Sequence, residues 1–365
     1  MATDFRTLAV DGMQSLSPYV PGKPISELER ELGIGNIVKL ASNENPLGPS
    51  PRATAAVERV LREITLYPDG GGYALKKKIG ERFNLDPARL TLGNGSNDLL
   101  DMVARVFLGP GRRSVFSQYA FAVYPIATQA TGAESVSVPS RSFGHDLEKM
   151  AVAAQDASVV WLANPNNPTG TWFDRAAFGK FMAAVPEQVV VVLDEAYSEY
   201  VDDPRYPDGL SYIARYPNLI VTRTFSKAYG LAALRVGYSV SSPQIADLLN
   251  RVRQPFNVST PALAAAEAVL DDADYLARSV ATNREGLAQV MRGLSGLGLG
   301  VIPSIGNFVA FDCARTAQPV FDALLREGVI VRPLAGYGMP RHLRVSIGTR
   351  EENARFLQAL QKVLA

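Results

Sequence analysis

From Arg113 onward the chain alternates short β-branched runs with stretches whose apolar residues recur at helical spacing. The runs are S-V-F-S at 114–117, S-V-S-V at 135–138, S-V-V-W-L at 158–162, V-V-V-V-L at 189–193 and L-I-V-T at 219–222. Strands separated by helices predict an α/β domain on a mostly parallel sheet. The run at 189–193 is apolar at every position, as a central strand covered on both faces requires. Its carboxyl end then carries Asp194 and Glu195, at the edge where open α/β sheets bind ligands.

Helical spacing at Val57, Val60, Leu61 and Ile64 predicts one amphipathic helix. Leu99, Val103 and Phe107 predict another, just after the polar turn G-N-G-S-N at 93–97. Beyond Ser241 longer helices prevail, with strand patterns V-I-V-R at 329–332 and L-R-V-S-I at 343–347 and a last helix through Leu357, Leu360 and Leu364. The expected organisation is a large domain over residues 46–250 with helices on both faces of its sheet, and a smaller C-terminal α+β domain over 251–365. The segment 1–45, rich in Pro and Gly and ending in the strand-like I-V-K-L-A at 37–41, is expected to pack on the smaller domain.

Composition narrows the chemistry. Lys and Arg number 37 against 36 Asp and Glu, a net charge of +1, so no bulk field attracts nucleic acid or an anionic membrane. Any anion has to be met by local groups. Cys313 is the single cysteine, which excludes an intramolecular disulfide, and His145 with His342 makes no metal-binding cluster. No metal is therefore expected, and a reducing cytoplasm is. Residues 1–10 include Asp4 and Arg6 and lack the apolar core of a leader, and no stretch approaches 18 apolar residues, so neither export nor membrane insertion is expected.

Four segments carry candidate chemistry. T-R-T-F-S-K-A-Y-G-L-A-A-L-R at 222–235 follows a strand and offers Lys227, a side chain able to form a Schiff base, with Thr224, Ser226 and Arg235 as phosphate donors. As a bare pattern it also fits a solvated lysine and an ordinary ion-pairing arginine. A-N-P-N-N-P-T-G at 163–170 is a rigid turn that fixes Asn167, either as a donor to an oxyanion or as turn structure alone. L-D-E-A-Y at 193–197 places Asp194 where a carboxylate can hold a heteroaromatic nitrogen protonated, with Tyr197 as a further donor; a helix cap is the alternative. Gly95, Ser96 and Asn97 open a helix after a glycine turn, a site for a phosphate, and the spacing is not that of a dinucleotide fingerprint.

Together with S-N-E-N-P-L-G-P-S at 42–50, these segments identify a resemblance to the fold-type I enzymes dependent on pyridoxal 5'-phosphate, and among them to the histidinol-phosphate aminotransferase family. The resemblance runs from S-P-Y at 17–19 to L-R-V-S-I-G-T at 343–349. It implies an aspartate-aminotransferase-like fold, a large cofactor-binding domain plus the smaller one. It implies Lys227 as the Schiff-base lysine, Asp194 opposite the ring nitrogen, and Asn167 and Tyr197 on the ring's phenolic oxygen. Thr224, Ser226, Arg235, Gly95, Ser96 and Asn97 would hold the phosphate. Tyr67 of Y-P-D-G would reach it from a neighbouring subunit, which requires a homodimer. Phe121 of F-A-V-Y would stack on the ring, with Tyr119 the alternative. Arg344, helped by Arg332 and Tyr19, would bind the substrate's anionic group, and Asn43 and Asn45 would line the entrance.

The implied reaction is L-histidinol phosphate plus 2-oxoglutarate giving imidazole acetol phosphate and L-glutamate by ping-pong transfer, a step of histidine biosynthesis acting on a small-molecule amino donor and a 2-oxo acid. Two enzyme alternatives share the same residues: an aromatic amino acid aminotransferase, whose flat-ring substrates an apolar pocket separates poorly, and a threonine-phosphate-decarboxylase-like lyase. A cofactor-sensing transcription factor on this fold would need a DNA-binding module for which the chain has no evident room.

Overall fold

The computed structural model describes residues 3–365. Seven strands form the main sheet: β2 (Leu90–Gly93), β3 (Arg113–Ser117), β4 (Glu134–Val138), β5 (Val159–Ala163), β6 (Val190–Asp194), β7 (Leu219–Thr224) and β8 (Gly237–Val240), numbered after β1 (Val38–Lys39). Their spatial order is β2-β8-β7-β6-β5-β3-β4, and β8 alone runs antiparallel to its neighbours. Each predicted run between 114 and 222 lies in a strand, displaced by no more than two residues at its ends.

Side-chain alternation explains why β6 is apolar throughout: Val191 and Leu193 enter one core, Val190 and Val192 the opposite one. The second of these cores also holds Leu99, Val103, Tyr124 and Trp161. Helices thus cover both faces, and the carboxyl ends of β5, β6 and β7 open on one edge.

The smaller unit is a four-stranded antiparallel sheet, β12-β13-β10-β9, built from β9 (Gly300–Ile302), β10 (Phe308–Asp312), β12 (Arg332–Pro333) and β13 (His342–Ser346). The V-I-V-R pattern does not form one strand. It splits at buried Val331 into β11 (Val329–Ile330), paired with β1, and β12, paired with β13. The last helix, Arg350–Leu364, starts on a capping box in which Thr349 and Glu352 satisfy each other's backbone N–H.

Three expectations shift. The division at 250/251 does not coincide with a change of core, because Val258, Ala262, Ala266 and Leu270 pack with Leu75 and Ile79 of the large unit. The long helix Ala273–Gly296 passes between them, with Tyr275 in the large core and Val290 and Leu294 in the small one. The first 45 residues also divide: Val38 and Leu40 join the small core, whereas Ser15 accepts a hydrogen bond from Gln129 on the large unit. Finally, the helix Pro51–Val60 buries Ala53 and Ala56, while Leu61, Ile64, Leu66 and Tyr67 stand 50–82% exposed. No described helix is long and apolar enough to cross a membrane.

Candidate active site

The carboxyl ends of β5, β6 and β7 meet the small unit around a cavity of about 260 Å³. Lys227, Asp194, Tyr197, Asn167, Ser96, Asn97, Phe121, Thr224, Ser226 and Arg235 all line it, as do Asn43, Tyr19, Arg332 and Arg344. Residues more than 300 positions apart in sequence therefore share one chamber.

Lys227 Nζ donates to the Ser42 carbonyl at 3.1 Å and lies 5.8 Å from the centre of the Tyr197 ring. Burial and the nearby Arg344 lower its pKa to about 8, so a useful fraction of neutral amine exists near neutral pH. Asp194 ends β6 and is 6% exposed. Burial holds its pKa above the usual carboxylate value, and hydrogen bonds from Tyr124, Thr222 and the Ala196 N–H limit that rise. No cation lies within ion-pairing distance of it among the described residues. Burial raises the Tyr197 pKa to about 12, leaving the phenol protonated; it accepts from Asn43 Nδ2 at 3.0 Å, so its own hydrogen is available to a ligand.

The glycine turn is shaped around Arg235. Gly95 has φ +79°, and a Cβ there would lie 2.2 Å from Arg235 Nη2, so only glycine admits the guanidinium beside the start of helix Ser96–Phe107. Arg235 Nη1 donates to Ser226 Oγ at 3.2 Å and to the Ala232 carbonyl at 3.0 Å. The cluster gathers a guanidinium, hydroxyls and a helix N-terminus, a donor set matched to a phosphate.

Opposite it, Arg332 on β12 and Arg344 on β13 are cross-strand partners. Arg344 is 6% exposed, hydrogen-bonds Asn167 Oδ1 and the Ala41 carbonyl, and leaves its buried Nε without a partner. Arg332 lies over the Tyr19 ring at 5.4 Å and donates to the Val20 carbonyl. Neither has a carboxylate partner among the described residues. Along the wall, Lys227, Arg235, Arg332 and Arg344 face, among the described residues, only the carboxylates of Asp194 and Glu44, and Glu44 is already paired with Lys39 at 2.8 Å. Like charges held side by side are unfavourable unless an anion joins them.

Some predicted residues have other surroundings. Tyr67 does not line this chain's cavity; it is 82% exposed and stacks on Phe256 at 4.7 Å. Tyr119 stacks on Phe143 outside the chamber, whereas Phe121, the other candidate for stacking on the ring, lines it. Asn45 does not line the entrance, because its Nδ2 ties Ala228 O and Ser279 Oγ together and pins the backbone after Lys227. Asn43 has both polar atoms engaged, with Tyr197 and with Ser346, so its effect is exerted on Tyr197.

Sequence reasoning missed Tyr124, Thr222, Ser42 and Glu44. It also missed part-buried His145, whose Nε2 accepts from the Ala163 N–H at 3.3 Å where β5 has parted from β3. Burial lowers the His145 pKa to about 4, which preserves that acceptor. The signal for Tyr124 was present as the last residue of F-A-V-Y, one helical turn from Phe121.

The sequence matches the aminotransferase class I and II family over residues 35–360. It is 64% identical to histidinol-phosphate aminotransferase 2 of Pseudomonas aeruginosa, covering 100% of this chain and 99% of that one. It is 57% identical to histidinol-phosphate aminotransferase 2 of Methylococcus capsulatus over 98% of each. The fold superposes, with a TM-score of 0.90 and 32% identity, on the crystal structure of histidinol-phosphate aminotransferase from Sinorhizobium meliloti in complex with pyridoxal-5'-phosphate, over 97% of this chain and 96% of that one.

Proposed function

The chain belongs to the class I and II aminotransferases, and from that premise we propose that it is a pyridoxal-phosphate-dependent histidinol-phosphate aminotransferase. The observation that carries the substrate assignment is the pair of carboxylate-free arginines, Arg332 and Arg344, in cross-strand register on the wall of the chamber that holds Lys227. Two guanidiniums suit a dianionic phosphate better than a single carboxylate. The same pair accepts 2-oxoglutarate in the second half of the reaction.

The residues present fit the cofactor. Asp194 would face the ring nitrogen, Asn167 Nδ2 and the Tyr197 hydroxyl the phenolic oxygen, and Phe121 the ring face. Arg235, Ser226, Thr224, Asn97 and the backbone at Gly95 and Ser96 would receive the phosphate. When bound, pyridoxal phosphate supplies the electron sink that stabilises negative charge at the substrate α-carbon. Lys227 Nζ, with its lowered pKa, is the group that takes up the proton leaving that carbon. Arg344 does two jobs, fixing Asn167 through Oδ1 and bringing its guanidinium charge to the chamber wall where the substrate's anionic group would sit.

The exposed apolar strip of Leu61, Ile64, Leu66 and Tyr67 supports a homodimer in which Tyr67 enters the partner's site. The single buried Cys313 fits a reducing cytoplasm.

Arg332→Ala should raise KM for L-histidinol phosphate about tenfold or more, the worth of a charge-assisted hydrogen bond, and raise KM for L-phenylalanine, whose carboxylate Arg344 can still pair, by less. Steady-state kinetics with both donors checks this. Equal loss for both would detach Arg332 from phosphate recognition.

A further inference from the structure

Asp194 lies on the face of β6 that also bears Val190 and Val192, toward the core containing Tyr124 and Trp161. Thr222 is its register partner on β7, on the face shared with Ile220. The consequence is a carboxylate gripped on both oxygens. The Tyr124 hydroxyl donates to Oδ2 at 2.8 Å, the Thr222 hydroxyl to Oδ1 at 3.1 Å, and the Ala196 N–H adds a third bond. A carboxylate offers about four acceptor sites, so one remains for a group in the cavity.

Tyr124 is itself held rigidly. It is fully buried, its ring stacks on Trp161 at 5.3 Å and 5°, and Phe121 meets it edge-on at 5.8 Å. Burial and the adjacent Asp194 push the phenol's pKa well above its ordinary value, so it remains a donor across the working range.

We infer that Tyr124 and Thr222 are positioning residues that clamp Asp194 from opposite oxygens and hold it less basic than its burial alone would make it, so that the proton shared with the cofactor's ring nitrogen stays on the nitrogen. The inference rests on the reading that the chamber binds pyridoxal phosphate. Burial alone would drive Asp194 to hold a proton, and donors to the charged form oppose that drive. Remove one donor and the carboxylate becomes more basic. The shared proton then moves toward Asp194, and the ring becomes a weaker electron sink.

The test loads wild type, Tyr124→Phe and Thr222→Val with pyridoxal phosphate labelled at the ring nitrogen and records the nitrogen NMR resonance. Tyr124→Phe keeps the ring and its stack on Trp161, while Thr222→Val keeps the shape of the strand residue. In each variant the resonance should move toward that of unprotonated pyridine, and kcat should fall on the order of tenfold with little change in KM. A merely structural role would lower thermal stability and leave the resonance where wild type has it; that result in both variants overturns the clamp. Wild type that takes up no pyridoxal phosphate would instead bring down the cofactor reading, and the clamp with it.

Discussion

Replacing Lys227 with alanine lowers aminotransferase turnover by about a thousandfold or more, since both the covalent attachment and the proton-moving amine are lost. The protein should still fold, because Nζ makes a single hydrogen bond, to the Ser42 carbonyl, whereas the surrounding backbone is held independently by Asn45. Phosphate-site donors do not depend on the lysine either, so cofactor retention by the variant is expected on dialysis. In cofactor-free wild type, the rate at which Lys227 captures an aldehyde should climb with pH through about 8, where half of the amine is neutral, and level off at higher pH. A Lys227→Ala protein with wild-type turnover would contradict the assignment outright.

Asp194→Asn is expected to bind pyridoxal phosphate yet lose about a hundredfold or more in kcat, comparable to removing a preorganised charge from a water-poor site. Asparagine matches the carboxylate in shape and still offers an oxygen to Tyr124 or Thr222, so the change isolates charge from packing. What it cannot do is hold a ring nitrogen as a cation. Measuring kcat alongside cofactor dissociation separates the two roles: full activity would remove Asp194 from the chemistry, and loss of binding without loss of kcat at saturating cofactor would recast it as an anchor.

The parts of this architecture readable from sequence are those set by local pattern. The run at 189–193 is apolar on both faces, so it had to be a central strand, and Asp194 at its end had to reach the ligand edge. Lys227 was legible because a strand, a hydroxyl-rich turn and a lysine follow one another without a gap. Tyr124 was not, since its contact with Asp194 spans 70 residues and depends on which face of the sheet each occupies. The passage between the two units was hidden for a related reason. Helix Thr260–Leu270 is rich in alanine and apolar nearly all round, so its pattern does not say which core it joins. The exposed Leu61 and Ile64 look like core positions by spacing; the chain buries Ala53 and Ala56 instead, and a partner surface is the reading that gives the others a place.

The most direct test is the visible absorption of purified protein supplied with pyridoxal phosphate, titrated separately with L-histidinol phosphate and L-phenylalanine. The account predicts a band from the lysine-bound cofactor that histidinol phosphate abolishes at far lower concentration than phenylalanine does. Equal or better conversion by phenylalanine would contradict the phosphate role given to Arg332 and Arg344, and a protein with no such band would contradict the account at its centre.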